Sequence, residues 1–173
     1  TTGTSNTLIG GLAGDALTDG NANTAVGRGA LSGETRGDRN VAIGYETLLA
    51  QNNTSDVDAY NVAVGYVAGT AMTTGVNNTL IGGTAGDALT TGTNNVAMGY
   101  GALGSEDTGG QNVAIGVNAL NTANYDGNGL NVAVGYGAGA AVTTGVNNTI
   151  IGGLAGDAIT QGQNNTLVGK GAG

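Results

Sequence analysis

Two stretches of the sequence, 51–60 (QNNTSDVDAY) and 121–130 (NTANYDGNGL), hold the side chains best suited to binding a ligand. Each combines Asn, Asp and one Tyr, so a tyrosine ring could stack on a sugar while carboxylates accept hydrogen bonds from its hydroxyl groups. Loops on a rigid scaffold often carry recognition, although a surface insertion without function would tolerate the same residues. The candidate ligand contacts are Asp56, Asp58, Tyr60, Tyr125 and Asp126.

Catalytic and metal-binding chemistry has few candidates in this chain. It contains no His and no Cys, which removes the commonest metal ligands and the commonest pairs of nucleophile and base. The Asp and Glu residues are scattered, and no two can be chosen as a carboxylate pair for polysaccharide hydrolysis. We therefore expect no enzyme activity, no cofactor and no metal site.

One phrase, GGLAGDALT at 10–18, resembles the calcium-binding nonapeptide of RTX proteins, with Ala13 in place of a glycine. That motif binds calcium in tandem nonapeptides, and the phrase here does not recur every nine residues. We expect Asp15, Asp87 and Asp157 to cap backbone N–H groups at corners, in preference to holding calcium.

Charge and hydropathy exclude two classes of partner. The net charge is −8, and the four basic residues are scattered, so the sequence has no basic surface for nucleic acid. No apolar run approaches the roughly 18 residues that a membrane-spanning helix needs. We expect neither nucleic-acid binding nor membrane insertion.

The elements that would position these side chains come from an internal repeat. A five-residue anchor (Asn, Thr or Val, an apolar residue, Ile, Val or Met, and Gly) occurs ten times, mostly 17 residues apart. Seventeen Gly-rich residues suit one coil of two short strands and two tight corners. The sequence predicts an all-β parallel β-solenoid, one domain over 1–173, that belongs to a longer fibre. Its coils start near Asn6, Asn23, Asn40, Asn61, Asn78, Asn95, Asn112, Asn131, Asn148 and Asn165.

Two further patterns describe the expected interior. Coils with Leu after the repeated Ala, as at Leu103, usually have a small or polar residue three places later, whereas coils with Gly there have a bulky one, as at Leu89. Each coil thus supplies one bulky group, as a packed interior of fixed width requires. The anchor asparagines should stack coil on coil as a hydrogen-bonded ladder.

The third anchor position is never polar, and it should point away from positions two and four, which share a face. Strands that are apolar on both sides are buried on both sides. We expect one side to line the coil and the third position to lie against a neighbouring subunit. This predicted oligomer interface comprises Leu8, Ala25, Ala42, Ala63, Leu80, Ala97, Ala114, Ala133, Ile150 and Leu167.

The repeat NVAIG followed by two residues and Ala, at 112–119 and with Thr47 in the Ala place at 40–47, resembles the head repeats of YadA-like trimeric autotransporter adhesins. Phage tail fibres carry repeats of the same style. The resemblance implies a left-handed β-roll, a homotrimer and attachment to host surfaces, with the chain extracellular, on a cell surface or on a virion. Longer coils, and the lack of a stalk or anchor segment in the sequence, fit a phage fibre at least as well as an adhesin.

Three functions follow as expectations. The first is a rigid trimeric shaft or head segment of an attachment fibre. The second is a filament subunit that stacks head to tail, and the third is a module that binds a host-surface glycan or protein through the loops 51–60 and 121–130.

Overall fold

The computed structural model describes residues 2–173, which form a parallel β-solenoid of ten stacked coils. The main sheet contains ten parallel three-residue strands, one from each coil, and a second sheet contains two. The main strands are β1 (Thr7–Ile9), β2 (Thr24–Val26), β4 (Val41–Ile43), β6 (Val62–Val64), β7 (Thr79–Ile81), β8 (Val96–Met98), β9 (Val113–Ile115), β10 (Val132–Val134), β11 (Thr149–Ile151) and β12 (Thr166–Val168). The short pair is β3 (Gly37–Asp38) and β5 (Val57–Asp58). The predicted all-β parallel solenoid with a spacing of about 17 residues is confirmed.

The second half of each coil consists mainly of turns and bends, and among residues 2–173 a two-residue strand occurs there in the second and third coils alone. The second short strand predicted for every coil is therefore wrong. Backbone hydrogen bonds still link these turns to the next coil, as from the Gly86 N–H to the Ala102 carbonyl (2.9 Å) and from the Thr73 N–H to the Thr90 carbonyl (2.8 Å). The turns therefore keep the coil-to-coil pairing without extended geometry.

Every coil bends at the same four positions, where the backbone has positive φ. In the fifth coil these positions are Asn77 (φ 59°), Gly82 (φ 137°), Thr84 (φ 52°) and Gly86 (φ 55°). At Gly82 a side chain is also excluded by space, because a Cβ there would lie 2.5 Å from the carbonyl oxygen of Gly99 in the next coil. The anchor glycine is thus required by both torsion and contact.

The third anchor position faces the interior of its own coil, which corrects the predicted oligomer interface. Ala25, Ala42, Ala63, Leu80, Ala97, Ala114, Ala133 and Ile150 are fully buried within the single chain. In the first and last coils, Leu8 is 41% exposed and Leu167 is half-buried, because only one neighbouring coil covers each. Side chains already enclosed by their own coil cannot contact another subunit.

The second and fourth anchor positions point outward, and none of them is fully buried. They make one continuous surface, called here the outer sheet face. Its members are Thr7, Thr24, Val41, Val62, Thr79, Val96, Val113, Val132, Thr149 and Thr166 at position two, and Ile9, Val26, Ile43, Val64, Ile81, Met98, Ile115, Val134, Ile151 and Val168 at position four.

The interior packing follows the predicted exchange between Leu and Gly coils. A Cβ at Gly69 would lie 2.9 Å from a methyl group of Leu48 in the coil before it and 2.8 Å from one of Leu80 in the coil after it. The missing side chain therefore makes room for the leucines of adjacent coils. Leu31, Leu48, Leu103 and Leu120 are all fully buried.

The asparagine ladder is also present, and it bonds mainly to the backbone. Oδ1 of Asn95 accepts the backbone N–H of Asn112 in the next coil (3.0 Å), and its Nδ2 donates to the carbonyl of Gly109 (2.9 Å). In some steps a direct amide contact is added, as from Nδ2 of Asn112 to Oδ1 of Asn95 (3.0 Å). Most of the asparagines thus satisfy buried backbone groups where the chain returns one coil later. Among residues 2–173, Nδ2 of Asn40, at the first insertion, is buried without a hydrogen-bond partner.

Candidate functional site

The two long coils interrupt the asparagine ladder, and in each a side chain from the insertion repairs it. The ladder contacts that cross the insertions are long, at 3.2 Å from the Asn61 N–H to Asn40 and 3.3 Å from the Asn131 N–H to Asn112. Gln51 bridges the first gap, since its Nε2 donates to Asn40 (3.2 Å) and its Oε1 accepts from Asn61 (3.3 Å).

Tyr125 bridges the second gap in the same way. Its hydroxyl donates to Oδ1 of Asn112 (2.5 Å) and accepts from Nδ2 of Asn131 (3.2 Å). The side chain is buried, and this burial raises the pKa of its phenol. The ring therefore cannot stack on a sugar, so Tyr125 is removed from the predicted ligand contacts. Asp126 beside it is exposed.

The first insertion keeps its predicted side chains at the surface. Asp56, Asp58 and Tyr60 are exposed, with half of the Tyr60 side chain accessible. Two arginines from the preceding coil hold this loop. Arg36 pairs with Asp56 (3.1 Å), while Arg39 pairs with Asp58 and lies 5.6 Å from the centre of the Tyr60 ring.

These contacts cover one face of the Tyr60 ring and pair both aspartate carboxylates with arginines. The negative charges of the loop are therefore already neutralised by ion pairs. The Tyr60 hydroxyl also lies 3.5 Å from Oδ2 of Asp58. What remains open for a ligand is the uncovered part of the ring and the outer oxygens of the two aspartates.

Two glutamates occupy interior positions at which other coils place apolar groups. Oε1 of Glu34 accepts the backbone N–H groups of Thr35, Arg36, Gly37 and Asn53, and its Oε2 accepts Nδ2 of Asn53 (2.8 Å). This carboxylate fixes the turn into the first insertion by satisfying five donors.

Glu106 is the corresponding residue before the second insertion. It accepts the N–H of Gly109 (2.7 Å) and of Tyr125 (3.4 Å). Burial raises the pKa of its carboxyl, and the backbone hydrogen bonds only partly oppose this rise. Glu34, Gln51 and Glu106 were not predicted as organising residues. The sequence did carry a signal for them. Each is a polar residue at the interior position where other coils have a bulky apolar one, and each lies in a coil with an insertion or in the coil before it.

A column of side chains follows the anchor glycines at an exposed corner beside the outer sheet face. Four of its members are tyrosines: Tyr45, Tyr66, Tyr100 and Tyr136. The rings of Tyr45 and Tyr66 stack, with centroids 5.4 Å apart and planes inclined by 10°. Arg28 lies 5.5 Å from the Tyr45 ring centre, donates to its hydroxyl (3.1 Å) and pairs with Glu46 (2.8 Å).

Neither acid clusters nor membrane-spanning elements occur in the described part of the chain. Across residues 2–173, no three Asp or Glu side chains are grouped to hold a metal ion. The same residues contain no helix long and apolar enough to cross a membrane.

Asp87 is half-buried, and burial raises the pKa of its carboxyl.

Comparison with protein-family models, with curated proteins and with solved structures gave no match.

Proposed function

We propose that this chain is a structural shaft segment that self-associates through its outer sheet face and serves attachment as part of an extracellular fibre. The observation that carries the proposal is the composition of that face. Every one of its outward positions is Thr, Val, Ile or Met, and the fourth-position column is apolar throughout. Within residues 2–173 these side chains are half-buried or exposed, and none of them is buried.

The dimensions of this face support a lengthwise contact. Nine steps between ten strands give a ridge of roughly 43 Å at a spacing of about 4.8 Å. Soluble monomers rarely expose an apolar surface of this continuity. Identical copies have the same coil spacing, so side chains can meet in the same way in every coil. A second copy is therefore a better partner than an unrelated protein.

The number of copies and the handedness belong to the proposal through the resemblance of the repeats to trimeric adhesin heads and phage fibres. Three left-handed solenoids around a common axis would bury the outer sheet faces together. The corners and the two insertions would remain outside, where loops can contact a host surface. The role of the segment is then mechanical, as a stiff spacer that holds adhesive contacts at a fixed distance.

The test is the mass of the chain in solution by light scattering. We expect three times the mass of one chain for the wild type, and the mass of one chain for the double variant Ile81→Asp, Met98→Asp, which places two charges on the outer sheet face. The matched control, Thr74→Asp with Thr91→Asp, adds the same charges at exposed positions outside the strands and should keep the wild-type mass.

Circular dichroism should show that both double variants remain folded. A monomeric wild type would overturn the proposal. A mass that increases without limit would favour the filament over the discrete shaft.

A second candidate is glycan binding by the first insertion alone, favoured by the exposed half of the Tyr60 ring beside Asp56 and Asp58. A glycan array would test it with Tyr60→Ala and the control Tyr136→Ala. Binding that is absent, or unchanged in Tyr60→Ala, would remove this candidate.

A further inference from the structure

The stacked tyrosines of the exposed corner form a pair that no other part of their column reproduces. Tyr45 and Tyr66 each follow an anchor glycine in neighbouring coils, and their rings are nearly parallel. Tyr100 lies two coils beyond Tyr66, with Gly83 at the corner between them. Tyr136 lies two coils beyond Tyr100, with Val117 between them.

The environment of this pair keeps both rings together and accessible. Arg28, in the preceding coil, donates a hydrogen bond to the Tyr45 hydroxyl and is itself held by its ion pair with Glu46. Tyr66 covers the other face of Tyr45 and is itself 62% exposed. An oxidant in solution can therefore reach a pair of phenols that the fold already holds in contact.

We propose that Tyr45 and Tyr66 are a site of oxidative dityrosine formation, a covalent bond that joins the third and fourth coils. The oxidant is of the peroxidase class, with hydrogen peroxide as the electron acceptor. Each phenol loses one electron and one proton and becomes a phenoxyl radical. Hydrogen peroxide takes up both electrons and both protons and is reduced to two molecules of water.

The bond forms between the ring carbons ortho to the two oxygens. The two hydrogens on these carbons then move to the phenol oxygens, so both rings recover their aromaticity and the product has two hydrogens fewer than the starting pair. The nearby carboxylate of Glu46 raises the pKa of the Tyr45 phenol, with a smaller contribution from burial. The phenol thus stays protonated near neutral pH, and its oxidation removes a proton together with the electron.

Such a bond would add a covalent link between two coils that are otherwise joined by hydrogen bonds and interior packing. It does not depend on self-association, because both rings belong to one chain. Tyr100 and Tyr136 are as exposed as Tyr66, at 62% each, so they provide internal controls for the effect of accessibility alone.

The experiment treats the full chain, at low concentration, with horseradish peroxidase and hydrogen peroxide. We expect dityrosine fluorescence in the band of single-chain mass on a denaturing gel. Cleavage before aspartate releases 38–55, which contains Tyr45, and 58–86, which contains Tyr60 and Tyr66. Mass spectrometry should find these two peptides joined with the loss of two hydrogens, and fragmentation should place the link on Tyr66.

Tyr45→Phe should abolish the product within the single-chain band, and Tyr100→Phe should leave it unchanged. Gly83→Tyr places a further ring between Tyr66 and Tyr100. This variant should extend the stack of tyrosines and increase the dityrosine fluorescence. The proposal is overturned if the wild type forms no link within the chain, if Tyr45→Phe still forms it, or if the joined peptides occur only in bands of higher mass.

Discussion

The hydroxyl of Tyr125 donates a 2.5 Å hydrogen bond to Oδ1 of Asn112, at the place where the asparagine ladder crosses the second insertion. A residue of a long surface excursion thereby becomes part of the core. The insertion does not simply bulge outward, because its central tyrosine returns to restore the contact that the extra residues interrupt. Gln51 has the same role in the first insertion.

Replacing Tyr125 with Phe should therefore destabilise the solenoid although the ring is kept. Oδ1 of Asn112 and Nδ2 of Asn131 each lose one of their two partners and keep the Asn131 N–H and the Gly145 carbonyl, respectively. The expected loss is therefore the net contribution of a lost hydrogen bond, about 0.5–1.5 kcal/mol. Thermal or chemical denaturation followed by circular dichroism measures the loss. Tyr136→Phe removes a hydroxyl from an exposed ring and should leave the stability unchanged. Equal effects of the two variants would show that the bridge contributes nothing.

Gly82→Ala should be among the most damaging small substitutions. Its φ of 137° is strained for any residue with a side chain, and the new Cβ would lie 2.5 Å from the Gly99 carbonyl oxygen. Strain of this kind costs about 1–3 kcal/mol before the clash is added. Gly11→Ala is the matched control, because a Cβ there meets nothing within 4 Å. We expect a large decrease in the melting temperature for Gly82→Ala alone.

Leu103→Ala tests the packing between coils. The leucine is fully buried, and the later interior position of its coil holds Glu106 in place of a bulky apolar side chain, so truncation should leave a cavity. We expect a loss of about 2–5 kcal/mol in the free energy of unfolding. Leu154→Ala, at an exposed leucine, should cost far less in the same denaturant titration. Similar losses would contradict the assigned interior.

The pH dependence of stability should contain a contribution from Glu106. Burial raises the pKa of this carboxyl in the folded state, so the folded chain binds the proton more tightly than the unfolded chain does. The resulting stabilisation is present below the ordinary glutamate value of about 4.3 and is lost as the pH rises through the higher folded pKa.

Glu106→Gln should remove this pH-dependent contribution to stability. As the pH rises from acidic to neutral, the free energy of unfolding of the variant should therefore increase relative to that of the wild type. Glu46→Gln, at a surface ion pair, is the control. Parallel pH profiles for the wild type and Glu106→Gln would contradict the expected loss.

Much of the coil could be predicted from residue types at fixed spacing. Asn95, Gly99 and Ala102 recur in register because each has a backbone-level role, in the ladder, at the positive-φ corner and in the narrow interior. The sequence also predicted that a coil with Leu103 lies beside a coil with Gly86 at the same position, because neighbouring coils share the interior volume.

Within a single coil the alternation does not distinguish the two strand faces, because Ala97 and its neighbours Val96 and Met98 are all apolar. Across the ten coils two signals for the outward face were present and were not used. Position three is small in most copies, as an interior between close walls requires, and position two is polar in half of them: Thr7, Thr24, Thr79, Thr149 and Thr166. Tyr125 was misplaced for a different reason: the path of an insertion depends on which of its side chains finds a buried partner, and its composition does not specify this.

The four recurring positive-φ positions mean that each coil leaves the backbone with the same direction and offset with which it began. The backbone path therefore allows whole coils to be duplicated or deleted where the Leu and Gly positions of the new neighbours still fit each other in the shared interior. The number of 17-residue repeats encoded in the gene would then set the length of the solenoid along its axis, in steps of about 4.8 Å.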